Sequence, residues 1–108
     1  MYEGDYINDK REGYGKCIFE NGNFYIGSFK NDSAHGKGII YYANGRIAYE
    51  GDFINGKPEG NGRYNFENGE FYIGEWKNYS KNGVGTLYYP NGNIKKGGKW
   101  INNIFIGY

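Results

Sequence analysis

The chain has 108 residues, 13 of them basic and 12 acidic, for a formal net charge of +1. That length allows at most one domain of ordinary size, and the balanced charge provides no basic face or stripe for nucleic acid. Twenty glycines and twenty-two aromatics (thirteen Tyr, seven Phe, two Trp) are the unusual feature; because the glycines keep fixed offsets from the aromatics, an ordered sheet is expected rather than the disorder common in glycine-rich chains.

Strands are predicted at about 2–7, 14–19, 24–30, 37–42, 48–54, 61–66, 71–77, 84–89 and 95–101. In the first, Tyr2, Gly4 and Tyr6 share one face. Glycine between two aromatics weakens an isolated strand, but it leaves a gap that a neighbouring ring can cover. A polar loop, Asn8 to Gly13, leads to a second strand carrying Gly15, Cys17 and Phe19 on one face. Asn21-Gly22 then reads as a hairpin turn, since both positions tolerate positive φ. The plan recurs with Tyr25, Gly27, Phe29, Ile40, Tyr42 and Asn44-Gly45. It recurs again with Tyr49, Gly51, Phe53, Phe66 and Asn68-Gly69, with Pro58 placed in the loop, where a missing N–H does no harm. A fourth unit brings Tyr72, Gly74, Trp76, Leu87 and Tyr89 before Asn91-Gly92. In the fifth, Lys96 replaces the opening tyrosine, Gly98 and Trp100 follow, and the chain stops at Gly107-Tyr108. Stopping inside a Gly-x-Gly frame suggests a fragment of a longer array. Nothing carries a capped helical period, so no helix is expected.

Tyr-x-Gly-x-aromatic, Gly-x-Gly and aromatic-x-Asn-Gly, in register at a period of about 23 residues, mark a repeat array. The pattern resembles the MORN (membrane occupation and recognition nexus) repeat. It covers almost the whole chain as one array over 1–108, with repeats at 2–24, 25–48, 49–71 and 72–95 and a partial repeat at 96–108. The resemblance implies an all-β, linear array of antiparallel hairpins forming an elongated, twisted single-layer sheet. It implies an interaction scaffold, without fixing one function: such arrays occur in cytoskeletal and ciliary scaffolds, in membrane-junction proteins, and beside phosphoinositide kinase and lysine methyltransferase domains.

A longer period underlies the short one. The segment from Tyr2 realigns with that from Tyr49 at roughly two-thirds of positions. Odd repeats open Tyr-Glu-Gly and even repeats Tyr-Ile-Gly, and the linkers after Asn-Gly are one residue longer in even repeats, which predicts a two-repeat rhythm of twist.

Catalytic, cofactor and metal roles are not expected. The Gly-x-Gly pairs lead into strands, whereas phosphate loops need a following helix. His35 is the only histidine and reads as an ordinary loop residue, with the single Cys17 in a different repeat. Glu3, Asp5, Glu50 and Asp52 could do acid–base work, yet they match a solvated sheet face. Asn31-Asp32-Ser33 and Asn78-Tyr79-Ser80 match the glycosylation pattern by chance composition. A lone cysteine and the lack of a signal-peptide core in the first residues point to the cytoplasm, and the resemblance implies a place there at the cytoskeleton or a membrane surface.

Two features suggest binding. The aromatic face, with Tyr25, Phe29, Tyr42, Tyr49, Phe53, Phe66, Tyr72, Trp76, Tyr89 and Trp100, is first a structural core. A one-layer sheet cannot hide both faces, so the rings left exposed would take a protein or extended peptide. Phe24, Ile26, Phe71 and Ile73 also stand out on the opposite face of even repeats. Lys95, Lys96 and Lys99 beside Trp100 could meet an acidic protein or anionic lipid, although short charge runs are usually solvated. The glycines Gly4, Gly27, Gly51, Gly74 and Gly98 are structural, and the open end at repeats four and five suggests self-association. The expected function is a non-catalytic interaction scaffold; the alternative is a lipid-binding or regulatory module of an enzyme such as a phosphoinositide kinase.

Overall fold

A computed structural model describes residues 2–108. They form one antiparallel sheet whose strands follow one another in sequence order. These are β1 (Tyr2–Ile7), β2 (Lys10–Ile18), β3 (Phe24–Lys30), β4 (Ser33–Tyr41), β5 (Ile47–Ile54), β6 (Lys57–Asn65), β7 (Phe71–Lys77), β8 (Ser80–Tyr88), β9 (Ile94–Ile101) and β10 (Ile104–Gly107). No helix occurs among the described residues, and the sheet is an open, all-β array of hairpins. Its longest dimension, 47 Å, runs across the strands, as ten strands spaced about 4.7–4.9 Å apart require.

Two kinds of turn alternate, and one of them departs from the sequence reading. The polar loops expected after each odd strand are two-residue turns, so β2, β4, β6 and β8 begin about four residues earlier than predicted. Asn8-Asp9, Asn31-Asp32, Asn55-Gly56, Asn78-Tyr79 and Asn102-Asn103 hold positive φ at both positions. That is the turn whose twist matches a two-residue hairpin, and asparagine tolerates it better than most residues. The two apparent glycosylation sequences fall on these turns. His35 and Pro58 accordingly lie in β4 and β6 instead of loops.

At Asn21-Gly22, Asn44-Gly45, Asn68-Gly69 and Asn91-Gly92 only the glycine is at positive φ, as at Gly22 (91°) and Gly69 (94°). The asparagine has a different job. Its Oδ1 accepts an N–H two residues on: Asn21 from Asn23 at 3.0 Å, Asn68 from Glu70 at 2.9 Å. With Gly22 N–H donating to the Phe19 carbonyl at 3.0 Å, this is a three-residue loop closed by a left-handed glycine.

The even strands are bent. Gly51 pairs with Gly62 and Phe53 with Pro58, so Asp52 alone faces three residues of β6. The same bulge follows Gly4, Gly27 and Gly74. The first glycine of each Gly-x-Gly sits in it at positive φ, as Gly60 does (84°). The acid facing the bulge holds its free amides: Asp52 accepts from Asn61 N–H at 3.1 Å and Glu75 from Val84 N–H at 2.7 Å. A bulge bends the strand that carries it. Beyond it the hairpin tips line up along the array. Asp32 N–H donates to the Arg11 carbonyl (3.0 Å), Gly56 to Ala34 (2.9 Å), Tyr79 to Pro58 (3.5 Å) and Asn103 to Lys81 (3.0 Å).

The long period has a structural counterpart too. Ala48 and Lys95, the extra linker residues of even repeats, are unpaired bulge residues where β5 and β9 begin, and no such bulge occurs where β3 and β7 begin. Such a residue raises local twist every second repeat.

On the front face lies the core: Tyr25, Phe29, Tyr49, Phe53, Tyr72, Trp76 and Trp100. Each opening tyrosine lies over the glycine pair of its own hairpin and donates its hydroxyl to a carbonyl three residues on. These bonds are Tyr2 to Asp5 (2.8 Å), Tyr25 to Ser28 (2.7 Å), Tyr49 to Asp52 (3.1 Å) and Tyr72 to Glu75 (3.0 Å). A Cβ on Gly62 would meet Tyr49 Cε1 at 2.5 Å, so the ring occupies the space that glycine leaves empty. The rings then meet edge to face in an unbroken line. Tyr25–Phe53 centroids are 4.9 Å apart, Phe53–Tyr49 5.2 Å, Tyr49–Trp76 5.5 Å, Trp76–Tyr72 5.2 Å and Tyr72–Trp100 5.5 Å. That geometry suits the aromatic quadrupole.

Candidate functional site

Above this spine runs a groove. One wall is the row of residues just inside the hairpin tips, Arg11, Ala34, Pro58 and Lys81, each facing the second aromatic of its hairpin or Tyr6. The other wall is the row Cys17, Ile40, Tyr64 and Leu87, half-buried against the core. Two cavities of about 210 Å³ each open along it. The first is bounded by Cys17, Phe19, Phe29, Ala34, Phe53 and Tyr79. The second is bounded by Ile40, Tyr42, Ala48, Pro58, Tyr64 and Trp76. Ile40 and Tyr79 border both, so the two form one depression. Tyr79 is held over it by its hydroxyl, which donates to the Gly56 carbonyl at 3.0 Å.

A cation flanks each end, in different states. Arg11 lies over the Tyr2 and Phe29 rings (5.6 and 5.3 Å to the centroids) and is bound to Asp32, Nε to Oδ1 at 2.7 Å. That hydrogen bond raises the Arg11 pKa and lowers that of Asp32. Lys81 Nζ sits over Phe66 (5.3 Å), Trp100 (5.3 Å) and Tyr72 (5.9 Å), with no carboxylate in ion-pair range among the described residues. Burial lowers its pKa. Cation–π contact offsets part of that desolvation.

The aromatic residues singled out in the sequence divide between two roles. Tyr25, Phe29, Tyr49, Phe53, Tyr72, Trp76 and Trp100 are 7 % exposed or less, so they present almost no area to a partner and form the floor. A one-layer sheet does hide this face, because the bent hairpin tips cover it. Tyr42 and Phe66 are half-buried and Tyr89 is exposed; they form the rim beside the Asn-Gly turns, where Tyr42 donates to the Asn65 carbonyl at 2.6 Å. Burial foremost raises the pKa of Tyr42, and burial foremost, with Tyr14 adding to it, raises that of Tyr25 to about 12. Four of the marked glycines, Gly4, Gly27, Gly51 and Gly74, face glycines of the next strand; Gly98 pairs with Gly85.

The lysines do not form one patch. Lys95 is paired with Glu70 at 2.7 Å, Lys96 reaches over the Phe105 ring at 5.8 Å, and Lys99 opposes Val84 on the other face. Among the described residues no three His, Cys, Asp or Glu side chains gather as a metal site, and no helix is long and apolar enough to cross a membrane. The sequence reading missed the groove wall: Ala34, Pro58, Lys81 and Tyr79 were placed in or beside supposed loops. The available signal was the Asn-x pair four residues before each Gly-x-Gly.

The family model of the MORN repeat matches the chain four times, at residues 2–24, 25–45, 49–71 and 72–94. MORN repeats are generally protein- or membrane-interaction modules. With these matches in tandem over most of its length, the chain belongs to the MORN repeat family.

Proposed function

We propose that the chain is a non-catalytic protein-interaction scaffold whose front groove takes an extended peptide. The observation carrying this reading is the pair of joined cavities of about 210 Å³ each, lined mainly by apolar side chains and bordered in common by Ile40 and Tyr79. An apolar depression with a few polar groups at its rim is the usual form of a binding site. Rigid aromatic walls add contact area at little entropic cost. Among the described residues Lys81 has no acid of its own, which favours a partner with a carboxylate at that end. The separation of Lys95, Lys96 and Lys99 weighs against a flat anionic membrane as the main partner. A free thiol at Cys17 suits a reducing cytoplasm, the setting we propose.

Selection from a displayed library of random peptides tests the groove. The reading expects peptides with spaced apolar residues and an acid, which lose binding to Ala34→Trp, where the indole fills the first cavity, while that variant keeps its circular dichroism. Peptides that bind Ala34→Trp unchanged would place the site elsewhere. Flotation with anionic but not neutral vesicles, and no selected peptide, would favour the lipid-binding alternative.

A further inference from the structure

The back face repeats with the long period, and its charges are arranged in an order that is its own complement. Strand pairing puts Glu3, Lys16, Ile26, Ile39, Glu50 and Arg63 side by side in one row across β1 to β6. A second row holds Ile18, Phe24, Tyr41 and Ile47 across β2 to β5. All four of these, and Ile26 and Ile39, are only half-buried in the chain alone. Phe24 and Tyr41 stack at 4.8 Å with their planes 15° apart, making a flat apolar centre.

We propose that a second copy of this chain docks on this face, back to back, about a two-fold axis parallel to the strands and passing between β3 and β4. Such an axis places β1 against β6, β2 against β5 and β3 against β4 of the other copy. Glu3 then meets Arg63, Lys16 meets Glu50 and Ile26 meets Ile39, each twice. In the second row Ile18 meets Ile47 and Phe24 meets Tyr41. On the other flank Tyr14 meets Asp52 and Ser28 meets Lys37. No like charges oppose one another. Shifting the axis by half a strand spacing, onto β3, would set Glu3 against Glu50, and shifting it onto β4 would set Ile26 against Glu50. Identical chains most often associate through one self-complementary patch about a two-fold axis.

Three further observations favour a copy of the chain over another partner. Glu3 and Lys16 are neighbours on adjacent strands, as are Glu50 and Arg63, yet neither pair closes an ion pair within the chain. Lys16 lies over Phe24 at 4.7 Å and Arg63 over Phe71 at 4.2 Å. Among the described residues both acids are thus left without a cation. The extent is also sufficient: six strands spaced about 4.8 Å by a width of about 20 Å cover roughly 600 Å² per copy, and a specific interface needs about 1,000 Å² in total. Two twisted sheets pack in this aligned manner, inner faces about 10 Å apart. Finally, the repeat-four end lacks the pattern. One long period on, Thr86 and Gly97 stand where Ile39 and Glu50 stood, so no axis there pairs acids with bases. This places self-association in repeats one to three, not at the repeat-four and repeat-five end that the open strand suggested. The groove is on the opposite face, and the proposal does not depend on what it binds.

Sedimentation equilibrium of the whole chain over a wide concentration range tests it with two charge-reversal variants. One is acidic on this row, Lys16→Glu with Arg63→Glu. The other is basic, Glu3→Lys with Glu50→Lys. The proposal expects the parent to dimerise, each variant alone to lose the dimer, and an equimolar mixture of the two to regain it as a one-to-one pair. Regain on mixing cannot come from misfolding, which circular dichroism of each variant checks separately. A parent that stays monomeric throughout would overturn the proposal. So would a dimer undiminished in both variants, or a mixture that stays monomeric while both variants are folded.

Discussion

The two faces of this sheet follow different periods. On the front, every hairpin up to the fourth repeats one device: a tyrosine over a glycine pair, its hydroxyl on a carbonyl three residues on, and its ring edge-on to the second aromatic of the next hairpin. On the back, the residues agree only every second hairpin: Glu3, Lys16 and Ile26 correspond to Glu50, Arg63 and Ile73. The front is buried and the back is half-exposed. A contact needed for each hairpin to stack on the next must occur in every repeat, as stability in linear arrays is mainly a nearest-neighbour sum. A surface whose pattern skips a repeat is free of that demand, and its order must be sought in something outside the single chain.

The comparison can be sharpened by substitutions that strike one face. A large effect is expected from Gly51→Val. A Cβ there would meet the β6 backbone at Gly62 Cα, 2.5 Å away, and the Tyr49 hydroxyl at 2.8 Å. Backbone on one side and a locked ring on the other leave little room to relax, so a loss of about 3 kcal/mol is expected in denaturant unfolding. A parent-like midpoint would remove the argument from the glycine pairs.

Alkali should act on the front face next. Burial holds the Tyr25 and Tyr72 phenols up to about 12, against an ordinary value of 10.0. Tyr49 is raised for the same reason. Between pH 10 and 12 the unfolded chain has lost these protons while the folded chain keeps them. Stability should therefore be complete below that window and fall as pH rises through it. Thermal unfolding at a series of alkaline pH values reads this; a melting temperature flat to the top of the window would contradict it. Tyr49→Phe should have the smallest effect, about 1 kcal/mol, because it removes one hydrogen bond and keeps the ring. A loss as large as that of Gly51→Val would mean that the hydroxyl, not the ring, holds the hairpin.

Much of the front face was legible in the sequence because glycine and aromatic positions are set by local alternation. Tyr49, Gly51 and Phe53 must share a face in any strand, and an Asn-Gly pair must turn. The hairpin tips were harder to read. Asn31-Asp32 and Asn78-Tyr79 contain no glycine, and only the bulge after each tip makes strands of the segments that follow. That same bulge bends the tips over the core and creates the groove wall of Ala34, Pro58 and Lys81. Its cause is an unpaired stretch opposite one acid, such as Asp52, which no side-chain period announces. The burial of the supposed binding aromatics follows from the same bend. The back-face row was invisible for another reason: Lys16, Ile39 and Arg63 become neighbours only once the register across six strands is known.

The most direct test of the division between faces is thermal and denaturant unfolding of two variants at low protein concentration, where self-association adds nothing. Phe53→Ala breaks the aromatic line between Tyr25 and Tyr49 and should cost about 3–5 kcal/mol. Ile26→Ser with Ile39→Ser removes the central cross-strand pair of the back and should cost only about 1 kcal/mol. Equal losses, or a larger loss from the back-face variant, would contradict the claim that the front face alone holds the array together.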